Sequence, residues 1–327
     1  MSALAPRLRS PSPLMKEPRD PAKVNWQAIA LLIVLSTIWG ASYPLIKVAV
    51  AEIPPLTLAA LRITIAAALL HTIVRLRGAT CVGRRRIQWR TIAGIAFWGY
   101  ALPYSLLAWS EQHISSGEAA ILLATIPLLT VFHRGLAFDR SHYNWLLALM
   151  PGFCGILTLV GPGVLAGNGS TIGGALVAFA ASASFARALL MTARLPPSSP
   201  MALAASLLSC AAVMLWPLSL VIEQPWLLAP TVESVAAALF LGLIGTALAL
   251  TIYLKLIAVA GAPFAALNNY LAPVSALVIG AVILSEAITR MQIASVSLIF
   301  LSIFAMARVR VAGSLSPRNQ HEAPNAR

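Results

Sequence analysis

Residues 26–50 read WQAIALLIVLSTIWGASYPLIKVAV, and this stretch decides the fold. Apart from Lys47 it carries no charge, and it exceeds the roughly 20 residues needed to cross a hydrocarbon core. Trp39, Tyr43 and Lys47 are spaced four apart, which puts them on one side of a helix. Gly40 and Pro44 interrupt the run among them, loosening the backbone ladder where the polar groups gather. That face reads as functional. The alternative is an aromatic packing stripe with Lys47 snorkelling to the interface.

Nine comparable segments follow. The ten spans are 27–50, 56–76, 90–111, 117–138, 144–164, 170–193, 200–222, 232–254, 261–284 and 290–311. The whole chain is 59% hydrophobic and only 10% charged, whereas soluble domains carry about 25% charged residues. It is therefore an all-α integral membrane protein. Residues 1–25 are rich in Pro and Arg without an apolar run and read as a disordered tail, as do the polar residues 312–327. Cys81, Cys154 and Cys210 are too scattered for a metal or redox site.

The net charge of +13 does not point to nucleic acid, because its distribution follows membrane topology. With the N-terminus inside, 20 of the 23 Lys and Arg residues fall on the cytoplasmic side and only Arg290 falls outside, while Lys47 and Arg62 stay within helices. Glu52, Glu111, Glu118, Glu223, Glu233 and Glu286 cluster on the outer side. Both termini are then cytoplasmic. Arg84, Arg85 and Arg86 read as a topology determinant in contact with anionic lipid.

The chain repeats itself. Pro54-Pro55 recurs as Pro196-Pro197, Gly117 as Gly261 and Pro127 as Pro273, at offsets of 142, 144 and 146 residues. This divides it into units 26–164 and 165–311. Each unit has five helices, an odd number, so the second enters the membrane upside down. Inverted repeats place a substrate site near the midplane between the halves and suit alternating access.

These residues resemble the drug/metabolite transporter superfamily, in its ten-helix EamA branch. The resemblance rests on Trp39-Gly40 through Tyr43-Pro44 with Lys47, on Ile53-Pro54-Pro55-Leu56-Thr57, and on Ala60-Leu61-Arg62. In the second half it rests on Gly242, Gly245-Thr246, Gly261, Asn268-Asn269-Tyr270-Leu271-Ala272-Pro273-Val274 and Ser285-Glu286. The family often has a Gly-Glu pair after the fourth helix, where this chain reads Leu136-Ala137-Phe138-Asp139-Arg140. The resemblance implies a carrier of metabolites or drugs in the cytoplasmic (cell inner) membrane.

Placed by depth, Trp39, Tyr43, Tyr104, Thr125, Asn268 and Asn269 reach the middle of the membrane and form the candidate substrate site. Adjacent helical residues point about 100° apart, so one of the two asparagines faces a cavity while the other bonds across a helix interface. Pro273 also frees a nearby carbonyl. Lys47, Arg62 and Glu118 lie toward the outer ends and form a gate or meet a substrate charge; an ion pair of Lys47 or Arg62 with Glu52 or Glu118 is the structural alternative. His71 is a packed histidine or a proton relay.

No G-x-S-x-G, H-E-x-x-H, P-loop or Cys/His cluster occurs, so no enzyme, metal or cofactor is expected. The sequence reads as a secondary transporter whose partners are a small-molecule substrate and membrane lipids, with a coupling proton and a homodimer left open. Export of amino acids is the substrate reading, and drug-like solutes are the alternative. A channel or a non-transporting scaffold is the reading from another class.

Overall fold

A computed structural model describes residues 26–77, 89–133, 147, 150–159, 169–195, 199–260, 262–265 and 267–315. Among the described residues the secondary structure is helical, without strands. The helices are α1 (Trp26–Val50), α2 (Pro55–Leu76), α3 (Trp89–Ser110), α4 (Ser116–Leu123, resumed as Ile126–His133) and α5 (Met150–Leu159). They continue as α6 (Gly169–Thr192), α7 (Pro200–Ile222), α8 (Val232–Ala260), α9 (Asn268–Leu284) and α10 (Arg290–Leu315). Of these, α1, α2, α3, α6, α7 and α8 are long and apolar enough to cross a membrane; the others contain shorter apolar stretches. Residues 1–25 and 316–327, Cys81, the three arginines at 84–86, the Leu136–Arg140 region and Gly261 lie outside the described residues, while 312–315, expected as the start of a disordered tail, continue α10 as helix.

Helix ends follow local chemistry. Pro55 and Pro200 open α2 and α7 in the first turn, where a missing N–H costs nothing. Ser115 and Glu118 make a reciprocal capping box at α4: the Ser115 Oγ accepts the Glu118 N–H at 3.2 Å, and the Glu118 carboxylate accepts the Ser115 N–H at 2.9 Å. Pro127 cannot donate to the carbonyl four residues back, and α4 breaks at Ala124-Thr125. The Leu122 carbonyl at the break is satisfied by the hydroxyls of Thr125 (2.6 Å) and Ser182 (3.0 Å). The expected ninth span is interrupted as well. A single turn, Ala262–Ala265, precedes α9, which starts at Asn268 rather than at 261.

Two helices contain a π-helical turn, at Phe97–Ala101 in α3 and Leu243–Leu248 in α8, beginning 146 residues apart like Pro127 and Pro273. Each holds a glycine against a neighbour. A Cβ on Gly99 would sit 3.0 Å from the Ala188 side chain of α6, and one on Gly245 would sit 2.9 Å from the Ser42 hydroxyl of α1. Hydroxyls bond carbonyls in or just before the widened turns: Ser184 to Trp98 O (2.6 Å) and Thr246 to Leu241 O (2.8 Å).

The packing follows the duplication. α1 packs on α8 and α9 as α6 packs on α3 and α4, and α2 packs on α7. A Cβ on Gly40 would collide with Ser275, so α1 approaches α9 closely at this glycine. Gly152 and Gly155 bring α5 against Ser302, Ile299 and Leu298 of α10, where the Ser295 hydroxyl donates to Gly155 O at 2.8 Å.

The two ends of the bundle differ. At the end that carries the glutamates, one continuous core joins Ile46 and Val50 of α1 to Leu58, Leu107, Ile121, Ala175, Leu241 and Ile299. At the opposite end the described core residues fall into two clusters. Ile63, Leu70, Ile95, Leu208 and Leu215 of α2, α3 and α7 form one cluster, and Ala28, Leu32, Leu35 and Leu256 of α1 and α8 another.

Candidate functional site

At the acidic end the two halves are tied together by side chains of one that bond backbone of the other. Glu223, after α7, accepts the Leu56 and Thr57 N–H groups at 2.9 and 2.6 Å and so caps α2. Glu52 accepts the Thr231 N–H at 2.7 Å at the start of α8, and Glu286 accepts the Ser116 N–H at 3.0 Å at the start of α4. Carboxylates belong at helix N-termini, where unpaired N–H groups and the dipole both favour negative charge. Lys47 does the converse: its ammonium donates to the carbonyls of Glu111 (3.2 Å) and Ile114 (2.6 Å) at the C-terminal end of α3.

Lys47 is thus engaged with carbonyls rather than with Glu52 or Glu118, and Glu118 sits in its own capping box. Arg62 turns elsewhere. It is buried, its Nε donates to Thr246 Oγ1 at 2.8 Å, and its guanidinium lies 4.4 Å from the Tyr104 ring centroid. The acceptor is a residue of the α8 π turn, and Tyr104 follows the α3 π turn, so the two interruptions converge on this arginine. Tyr43, Tyr104, Glu111 and Arg62 are near enough to interact electrostatically.

Half-buried aromatic residues line the borders between the three clusters. Tyr43 and Phe185 edge the continuous core, Tyr100 and Tyr104 the α2–α3–α7 cluster, and Trp39 and Tyr253 the α1–α8 cluster. Tyr104 lies 6.0 Å from both Tyr100 and Phe185, and Trp39 lies 5.5 Å from Tyr253. Tyr43 and Phe185 stand 142 residues apart, at corresponding positions of α1 and α6.

The remaining candidates separate clearly. Asn268 is buried and its Oδ1 accepts from Ser36 Oγ at 3.0 Å, across the α1–α9 interface. Asn269 is half-buried, and Pro273 leaves its carbonyl without the helical N–H. Thr125 is buried and bonded within the α4 break. His71 Nε2 lies 2.8 Å from Ser209 Oγ, between α2 and α7. Glu111, which the sequence marks only as one of the outer-side glutamates, is 1% exposed, and neither carboxylate oxygen has a hydrogen-bond partner among the described residues.

Comparison with known proteins agrees with the duplicated architecture. The model of the EamA-like transporter family matches twice, over residues 26–161 and 172–308. The uncharacterized inner membrane transporter YedA of Escherichia coli K12 is 28% identical over 296 residues, covering 90% of this chain and 94% of its own. An uncharacterized transporter of Archaeoglobus fulgidus is 22% identical over 88% of this chain and 99% of its own. The uncharacterized transporter YoaV of Bacillus subtilis is 26% identical over 84% of this chain and 94% of its own. A protein crystal structure shares the fold at 19% identity, with a TM-score of 0.59 over 88% of this chain and 99% of that one. The chain belongs to the EamA-like transporter family, within the drug/metabolite transporter superfamily.

Proposed function

We propose that this chain is a secondary transporter of small metabolites in the inner membrane, built from ten spans in two inverted five-helix repeats and working by alternating access. The observation that carries this reading is the division of the core. Among the described residues, one end is sealed by a continuous apolar cluster and cross-half caps, while at the other the core falls into two clusters bordered by half-buried aromatics. A carrier caught with one gate closed has this form. By the distribution of Lys and Arg, the sealed acidic end is the outer one and both termini are cytoplasmic. A reporter cysteine at Gly83 that reacted from outside would reverse this orientation.

The substrate reading is an amino acid or related metabolite, moved outward. Arg62 uses its Nε on Thr246, and its remaining donors suit a carboxylate. Trp39, Tyr43, Tyr104, Phe185 and Tyr253 supply apolar and π surface for a side chain, and Asn269 with its freed carbonyl supplies polar contacts. The test is counterflow in proteoliposomes loaded with single amino acids. Saturable exchange of at least one is expected, with a matching rise in thermal stability. Saturable exchange only of larger apolar solutes would move the substrate class to drug-like compounds. Unsaturable flux would identify a channel, and no flux of any solute a scaffold.

A further inference from the structure

We propose that Glu111 is a proton-binding site that holds the acidic end of the bundle closed. This deepens the transport reading above by naming the group that would couple the closed gate to a proton. The carboxyl is 1% exposed at the end of α3, and neither oxygen meets a donor among the described residues. An ionised carboxylate sealed from water needs a paired cation or several hydrogen bonds. Lys47 and Arg62 are close enough to attract such an anion, but burial outweighs them and neither cation is bonded to the carboxylate. From α1, the Lys47 ammonium is spent on the backbone carbonyls of Glu111 and Ile114. From α2, Arg62 is directed to Thr246 and the face of Tyr104. Tyr43 of α1 faces it as a neutral phenol, and Glu286, beyond α9, adds a like charge to its surroundings. His113, two residues on, is stacked on Trp109 at 4.0 Å with its Nδ1 3.0 Å from the Trp109 carbonyl.

A neutral carboxylic acid fits this position, and an anion does not. The same residue becomes comfortable as an anion once the end opens, because water enters and Lys47 is released from the carbonyls it now holds. The proton therefore binds more tightly to the closed state, and by linkage acid favours closure while alkali favours opening. A tenfold difference in proton affinity between the two states changes the open population by up to about tenfold.

The test has two arms on the full-length protein in liposomes. Infrared difference spectra between wild type and E111Q should show, at neutral pH, a carboxylic-acid C=O band that E111Q lacks; its absence would show Glu111 ionised and overturn the proposal. The second arm follows labelling of an I53C reporter, at a buried position of the acidic end, after the native cysteines are replaced. The I53C rate divided by the I53C/E111Q rate cancels thiol ionisation. That ratio should rise up to about tenfold from mildly acidic to mildly alkaline pH, and a constant ratio would overturn the gating role. Neither arm uses a substrate. Failure of counterflow with the band present would remove the transport reading and leave the proton site.

Discussion

The two repeats share their backbone interruptions, but their chemistry is unequal. Both have a π turn in the third helix, a proline-linked break in or before the fourth, and a close packing of the first helix against the other half's partner. At the positions corresponding to Lys47, Arg62, Tyr104 and Glu111, however, the second repeat has Leu189, Ala204, Leu250 and Ile257. Duplication explains the shared architecture, since each repeat must solve the same packing problem. The charges are not needed for that purpose. A buried arginine or glutamate in a membrane span is costly, so on the proposed transport reading its presence in one half only assigns specificity to that half.

The largest effect expected from breaking this asymmetry is in Arg62. Arg62→Ala should weaken substrate binding by about 2 kcal/mol, roughly thirtyfold in apparent affinity, measured by counterflow. Arg62→Lys should not restore it, because a lysine lacks the planar fork that reaches Thr246 while covering Tyr104. Equal affinity in Arg62→Ala would show that the charged half is no more specific than the apolar one.

Gly40 and Ser182 are corresponding residues of α1 and α6, and they test the shared scaffold. Gly40→Ala places a Cβ against Ser275 and the Ala272 carbonyl, with a cost of about 1–3 kcal/mol in thermal stability. Ser182→Ala removes the bond to Leu122 O and costs about 1 kcal/mol. The order reverses if α1 and α9 can separate without loss.

The asparagine pair sharpens the division between scaffold and site. Asn268→Ala leaves Ser36 without its partner and should lower stability by about 1 kcal/mol. Asn269→Ala should leave the melting temperature unchanged and raise the substrate concentration needed for half-maximal exchange. The opposite pattern would exchange their roles. A smaller and stabilising change is expected at Ser285, which holds φ at 55° where the chain turns Glu286 back onto α4. Ser285→Gly should add about 0.5–1 kcal/mol by relieving the left-handed conformation, and no gain would show that other contacts of this turn compensate.

Much of this was legible beforehand. The apolar runs, the offsets of 142 to 146 residues and the Trp-Gly…Pro…Lys pattern give the helices, the duplication and the family. The candidate site was only partly legible. Arg62, expected toward the outer end as a gate, instead meets Tyr104 of the mid-depth set, Trp39 packs on Tyr253, and Lys47 and Glu118 serve as backbone caps at the acidic end. The π turns carry no sequence signal beyond Gly99 and Gly245, which sit where α6 and α1 pack tightly on α3 and α8.

The sequence alone determined what is local or compositional: which segments are apolar, where proline and glycine break them, and on which side positive charge accumulates. Tertiary structure decided which of two adjacent asparagines is buried, which acceptor Arg62 meets, and that Glu111 is sealed without a partner. These depend on contacts between residues far apart in the chain, 184 positions in the case of Arg62 and Thr246. Helical periodicity places a side chain on a face, but only packing determines what that face meets.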